Sequence, residues 1–271
     1  MFHSDEYVQL SKSVLKAVCA EKIFLLGSTN ADRRTQNIFT SAPVQKTSVE
    51  HYYILVLVLR NRENSNTTLQ EKIESMCASF TSVTAFVADF EQFNEWLLKG
   101  HLFASRVYSN AVCLFDNLST KLNEPGIIDR EAVKNENEII FCQGINKVQE
   151  FLAGADLYRI RKQNQLTAFM LHQATEHALL TILQLHTGLS VTTHNLDKLL
   201  RFCSLVSSNV ADIFRRHIAE DNRMFQLLQK AYIESRYRST YQITQTDLLN
   251  LTDKIRRLQT LVQNEKKSVF I

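Results

Sequence analysis

The sequence predicts two domains of different class, an α+β domain at the N-terminal end followed by an all-α bundle of five helices. Three observations carry this. Short apolar runs rich in β-formers alternate with helical patterns up to about residue 115, and no strand signal follows Arg130. Only 6 Gly and 2 Pro occur in 271 residues, and both prolines, Pro43 and Pro125, lie in the first half, so the second half is free to form long helices. Charge divides the same way: residues 1–143 carry 14 Lys+Arg against 17 Asp+Glu, and residues 144–271 carry 17 against 11. A basic helical half points to an anionic partner, but a balance of +6 is too mild by itself to establish nucleic acid.

In the first half, residues 6–20 place Val8, Leu10, Val14, Leu15, Val18 and Cys19 three and four apart, the pattern of an amphipathic helix. IFLLG, 23–27, reads as a short buried strand ending at Gly27 and Ser28, followed by a polar loop to about Glu50 that holds Arg33 and Arg34. HYYILVLVL, 51–59, is a strand fit for the centre of a sheet. NRENSN, 61–66, is a turn, and Thr67 or Thr68 is placed to cap a helix over 69–79. SVTAFVA, 82–88, is a third strand; Asp89 then caps a helix that Gly100 stops. HLFASRVYS continues helically, and AVCLF, 111–115, is a last strand. The polar segment 116–129, with Pro125-Gly126, marks the boundary, which gives domains over 1–120 and 128–271.

A helix, a strand ending in Gly-Ser, a loop and a second strand form the layout of small nucleotidyltransferases of the MNT type, and this half resembles them. The order EQFNEWLLKGHLFASRV then AVCLFDN is similar to their helix pair and closing strand. The resemblance implies that Gly27-Ser28 would cradle a triphosphate and that an Asp-x-Asp pair on the next strand would hold metal ions. The position of those acids reads Glu50-His51-Tyr52-Tyr53, and His51 and Tyr53 cannot replace two hard carboxylate ligands for magnesium. The strand SVTAFVA offers no third acid. The expectation is a domain that keeps the fold and has lost transfer chemistry, with no metal and no cofactor. Arg33 and Arg34 remain either phosphate contacts or a solvated loop.

From Arg130 the pattern is helical. Residues 130–162 read as one long helix, kinked near Gly144 or Gly154, and 166–188 as a strong amphipathic helix ended by Gly188. Thr193 is placed to cap a helix over 194–206, and another runs from 209 to about 234. Thr244 with Asp247 forms a capping box for the last helix, whose stripe is Leu248, Leu251, Ile255, Leu258 and Leu261–Val262.

This half resembles a HEPN domain through AFMLHQATEHALLTILQLHTG, then His194-Asn195-Leu196 before a helix, then AYIESRYRSTYQIT. The resemblance implies a homodimer whose shared groove binds nucleotides or RNA. Many HEPN domains are metal-independent ribonucleases with an Arg, four to six residues, then a His; the His moves a proton and the Arg steadies phosphorane charge. Here Arg236 is followed after four residues by Tyr241, and no Arg in the chain has a His at that spacing. Tyrosine is a poor proton shuttle near pH 7, yet it can hydrogen-bond a phosphate or stack on a base. The sequence looks nearer to the nucleotide-binding, sacsin-like HEPN domains than to the ribonucleases.

The candidate ligand-binding residues are Arg236, Tyr237, Arg238, Tyr241, Tyr232, Glu176, His177 and His194. Arg236 either contacts phosphate or forms a salt bridge, and Tyr237 either packs the helix end or stacks on a ligand. Tyr232 either shares the face of Arg236 or is a core tyrosine. Glu176 and His177 are polar contacts in the bundle groove; His172 and His177 are badly spaced for zinc. His194 opens a helix where it could donate to a phosphate. Lys198 and Arg201, one turn apart, extend a basic strip or form a solvated face.

Five cysteines (Cys19, Cys77, Cys113, Cys142, Cys203) stand far apart among apolar neighbours with no C-x-x-C pair, which suggests buried free thiols in a reducing compartment. MFHSDEYVQL does not read as a signal peptide, and the longest apolar run, 52–59, is too short to span a bilayer. The expectation is a cytoplasmic protein, off membranes and DNA, that binds a nucleotide or RNA without strong catalysis. The alternatives are a HEPN ribonuclease or toxin–antitoxin component, and a protein–protein interaction module.

Overall fold

The computed structural model describes residues 3–30, 35–37, 49–60, 65–238 and 240–269. Arg33, Arg34, Pro43 and most of the turn after Leu59 lie outside the described residues. The chain forms two compact units, Met1–Asp129 and Arg130–Ile271.

The first unit runs α1 (His3–Ala17), β1 (Lys22–Asn30), β2 (Thr35–Asn37), β3 (Val49–Val58), α2 (Asn66–Cys77), β4 (Ser82–Asp89), α3 (Phe90–Leu98), α4 (Leu102–Asn110) and β5 (Val112–Asp116). The sheet order is β2-β1-β3-β4, with β5 also on β1. β3 and β4 pair in parallel, and the other pairs are antiparallel. β3 is central, as its unbroken apolar run requires: Tyr52 through Leu57 are all buried. Alternation then sorts its side chains. Tyr52, Ile54, Val56 and Val58 join a core with Leu10 and Val14 of α1 and Leu69 and Ile73 of α2. On the other face Phe86 of β4 meets Phe103 of α4 edge to face, centroids 5.8 Å apart.

Two readings of this half change. β1 does not stop at Gly27-Ser28. Gly27, Ser28 and Thr29 pair with β3 on one edge and with β2 on the other, so the strand continues to Asn30. A register shift between Leu25 and Gly27 puts the glycine just after an irregularity in the ladder. The cap of α2 is Ser65, whose Oγ accepts from Thr68 N at 3.2 Å, in place of either threonine. The residues after β5 fold back onto the α3–α4 turn: Gly126 N donates to Leu97 O at 2.8 Å, and a Cβ on Gly126 would stand 2.2 Å from Leu98 O. Asp89 does cap α3, accepting from Gln92 N at 3.0 Å.

The second unit runs α5 (Arg130–Ile160), α6 (Asn164–Thr187), α7 (Leu196–Val206), α8 (Ser208–Ile213), α9 (Ala219–Tyr237) and α10 (Gln245–Val269). α6 is the buried centre, with Ala168, Leu171, Ala174, Ala178, Leu179 and Ile182 fully enclosed. Gly188 closes it with φ 73°, the left-handed conformation a glycine takes without strain. α5 is one continuous helix through both glycines. The stretch read as a single helix from 209 is two, because the chain turns at Phe214, buried to 1%. Arg215 holds that turn through Asp221, and Arg216 through Asn222 and Asp197. The cap of α7 is Asn195, accepting from Lys198 N at 3.1 Å; Thr193 supports it one step back by accepting from Asn195 N. The Thr244–Asp247 box at the head of α10 forms reciprocally.

All five cysteines are free, but only Cys77 and Cys203 are buried. Cys19, Cys113 and Cys142 are exposed, although Val18 and Ala20 beside Cys19 are buried. Among the described residues no helix is long and apolar enough to cross a membrane.

Candidate functional site

The last two turns of α9 build the site. Arg236 bends back along its own helix, and its Nε donates to the Tyr232 carbonyl at 2.7 Å. That anchors the guanidinium among three rings. Its Cζ lies 4.5 Å from the Tyr232 centroid and 5.0 Å from those of Phe169 and Tyr237. Phe169 comes from α6, so the cation bridges two helices. Among the described residues no carboxylate pairs with Arg236, which stays exposed. Tyr237 is 74% exposed.

Tyr232 is the hinge of the arrangement. The His194 ring stacks on it, centroids 4.2 Å apart and planes 17° from parallel. His172 tilts against it at 5.2 Å. His194 and His172 then converge on one buried acid. His194 Nδ1 is 3.1 Å from both oxygens of Glu176, and His172 Nε2 is 3.4 Å from Oε2. Gln173 Nε2 donates to the same carboxylate at 3.3 Å. Burial pushes the Glu176 carboxyl up, but the neighbouring His172 and His194 outweigh it and hold the group below the ordinary carboxylate range. The other side of His172 is fixed as well, since its Nδ1 must donate to the Leu228 carbonyl at 3.0 Å. A carbonyl only accepts, so the hydrogen is on the histidine.

The remaining candidates disperse. Tyr241 is 4% exposed, and its hydroxyl donates to Leu227 O at 3.0 Å. Burial, then Glu234 and Asp247, push its phenol above the ordinary range, so it is a core side chain beyond the reach of a ligand. Its apolar ring wins over its place in the motif. Arg238 pairs with Glu234 at 3.2 Å on the exposed helix end. His177 faces α5, stacked on Phe151 at 5.3 Å, where burial and then Lys147 lower its basicity. Arg201 pairs with Asp197 at 3.3 Å and Lys198 is buried, so these two form no basic strip.

Phe169 and His172 join the site without having been proposed for it. The signal was there: Phe169, His172 and Glu176 stand at i, i+3 and i+7, one face of α6.

On the first unit, Gly27 pairs with Tyr53 and Thr29 with His51, while Ser28 pairs with Tyr52. Ser28 therefore projects from the face opposite to His51 and Tyr53. His51 lies tilted against Tyr53, centroids 4.7 Å apart, and its two ring nitrogens contact Ser82 Oγ and Thr84 Oγ1 at 2.7 Å each. Both nitrogens are engaged, which leaves neither for a metal ion. Asp89 pairs with Val58 at the other end of β4 from Ser82. Among the described residues no group of three or more His, Cys, Asp or Glu could hold a metal.

Comparison with known proteins bears on the second unit. No curated protein matches the chain. Among solved structures, the nucleotidyltransferase-like protein from Exiguobacterium sibiricum is similar at 12% identity, covering 94% of this chain and 74% of that one, with a TM-score of 0.31. Residues 145–265 match the HEPN domain family, a span that takes in Phe169, His172, Glu176, His194, Tyr232 and Arg236 together. Within the helical unit, residues 145–265 form a HEPN domain.

Proposed function

We propose that the chain binds the phosphate of a nucleotide or of RNA through its HEPN unit, with Arg236 as the anion-contacting group. One observation carries this reading. An exposed guanidinium, paired with no carboxylate among the described residues, is held in place by three aromatic rings. A fixed cation costs little entropy to engage an anion, and aromatic edges beside it suit a base. The basic balance of the second half favours the same ligands. The protein acts as a homodimer through this unit, as the family resemblance implies. It resides in the cytoplasm, where exposed Cys19, Cys113 and Cys142 stay reduced.

The first unit is a nucleotidyltransferase-like domain without transfer chemistry. His51, held between two hydroxyls, stands where the resemblance calls for a metal-binding acid. Calorimetric titration with ATP, GTP and a short RNA tests the binding reading. Binding weaker than about 1 mM for all three, with Arg236→Ala indistinguishable, overturns it.

A second reading, metal-independent RNA cleavage, is favoured by His194. Its Nδ1 is held by Glu176, and its Nε2 has no partner among the described residues, the posture of a group able to take a proton. RNA left intact after long incubation in chelator ends this reading.

A further inference from the structure

We infer that His194 is the second arm of the phosphate site and that the site takes a terminal phosphate monoester in preference to an internal diester. The inference rests on the binding reading above and narrows its ligand.

The geometry gives two arms that share one support. Nε of Arg236 is spent on the Tyr232 carbonyl, which leaves the two terminal nitrogens of this exposed residue as a fork. Nδ1 of His194 is spent on Glu176, which leaves Nε2 as its one outward polar atom. The guanidinium carbon and the imidazole centroid each lie within 5 Å of the Tyr232 ring centroid. The His194 side chain is 49% exposed, and the Glu176 side chain beneath it 6%.

Glu176 is the positioning residue. A carboxylate held in its ionised form only accepts, so the hydrogen on Nδ1 belongs to His194. Stacking on Tyr232 sets the plane of the ring, and the carboxylate sets its rotation in that plane. Glu176 is itself held by Gln173 on the same helix and by His172, whose far side is tied to Leu228 of α9. This chain of contacts runs from the buried face of the bundle to the Nε2 atom.

The preference follows from counting oxygens. A phosphodiester has two non-bridging oxygens and one negative charge, which a guanidinium fork satisfies alone. A monoester has a third terminal oxygen and carries about −1.5 to −2 charge at pH 7. That third oxygen needs a donor placed beside the fork on a different element. His194 Nε2 supplies it when both ring nitrogens carry hydrogen. The ligand is then a mononucleotide or the phosphorylated end of an RNA.

The test is calorimetric titration of the full chain with AMP, 3′,5′-cyclic AMP, and a short oligoribonucleotide bearing either a 5′-phosphate or a 5′-hydroxyl. AMP is expected to bind at least about tenfold tighter than its cyclic diester, the worth of one charge-assisted hydrogen bond. His194→Asn keeps a donor for Glu176 and removes Nε2; it should bring AMP down to the cyclic nucleotide and leave the latter unchanged. Arg236→Ala should weaken both. A gain from the 5′-phosphate on the oligonucleotide that exceeds the gain for AMP identifies an RNA end as the source, and the reverse identifies a mononucleotide. Equal binding of AMP and cyclic AMP, or a preference that survives in His194→Asn, overturns the inference and leaves the binding reading standing. No binding of any of the four overturns both.

Discussion

The imidazole of His194 lies against the ring of Tyr232, centroids 4.2 Å apart and planes 17° from parallel. The two side chains come from different parts of the bundle, one just ahead of α7 and one on α9. Tyr232 also carries Arg236, whose Cζ is 4.5 Å from its centroid. One aromatic ring thus contacts both nitrogen groups.

Removal of that ring should therefore cost both stability and function. Tyr232→Ala loses a stacked pair and a cation–π contact, together about 1–2.5 kcal/mol. Nucleotide affinity should fall at least about tenfold, since both arms lose their support. Tyr232→Phe keeps the ring and should bind as the parent does. Titration of the two variants against thermal melts separates the effects, and a phenylalanine variant as weak as the alanine one would show that the hydroxyl, not the ring, matters.

Tyr241 should behave in the opposite way. Tyr241→Phe deletes a single hydroxyl that donates to Leu227 O. The expected loss is about 0.5–1.5 kcal/mol of unfolding free energy, with nucleotide affinity unchanged. Urea unfolding and titration on the same sample check it. A variant of full stability that no longer binds ligand would return Tyr241 to the site.

These two tyrosines also show what could be read ahead of the structure. Local signals read well: the Asp89 cap, the left-handed Gly188 and the Thr244–Asp247 box all depend on residues within one turn. Tyr232 and Arg236 share a face at i and i+4 spacing, which the sequence displays directly. Partnerships across the chain did not read. β1 continues past Gly27 because β3 pairs with it on one edge and β2 on the other. The helix expected from 209 divides because Phe214 buries its ring and arginines pair around the turn. Tyr241 sits at a motif position, yet its fate is decided by the apolar space beneath α9. His194 and Glu176 each stood out as single polar residues, and only the fold makes them a pair.

Acid should weaken the bundle through a defined set of carboxyls. The Glu176 carboxyl is held low by His172 and His194 against the effect of burial. Asp221 is likewise held low, hydrogen bonds from Lys254 and Arg215 outweighing burial. Asp247 is held low first by its hydrogen bond from Arg223. A carboxyl depressed in the folded state adds stability that is complete above its unfolded value, about pH 4, and is lost as pH falls through the folded value. Helicity of the parent, followed by circular dichroism in denaturant, should hold from pH 7 to about 5 and drop below about 4. Asp221→Asn with Asp247→Asn should be less stable at pH 7 and show a flatter acid limb; an equally steep limb would assign the acid sensitivity to other groups.

The two glycines of α5 should respond to alanine with opposite signs. Both lie inside one continuous helix, where glycine costs about 0.5–1 kcal/mol relative to alanine. At Gly144 a Cβ would stand 2.0 Å from Thr181 Oγ1 and 2.9 Å from Thr181 Cβ, so rotation of the threonine cannot clear it. The crossing of α5 on α6 must open there, and overpacking of this kind costs about 1–3 kcal/mol. At Gly154 the nearest atom is Met170 Sδ at 3.3 Å, on a side chain able to move aside. Gly154→Ala should therefore gain part of the helix propensity, and Gly144→Ala should lose more than propensity returns. Urea unfolding midpoints of the two variants should fall on either side of the parent. A rise for both would mean that the α5–α6 contact at Gly144 is looser than its geometry, and that this glycine is not what sets the distance between the helices.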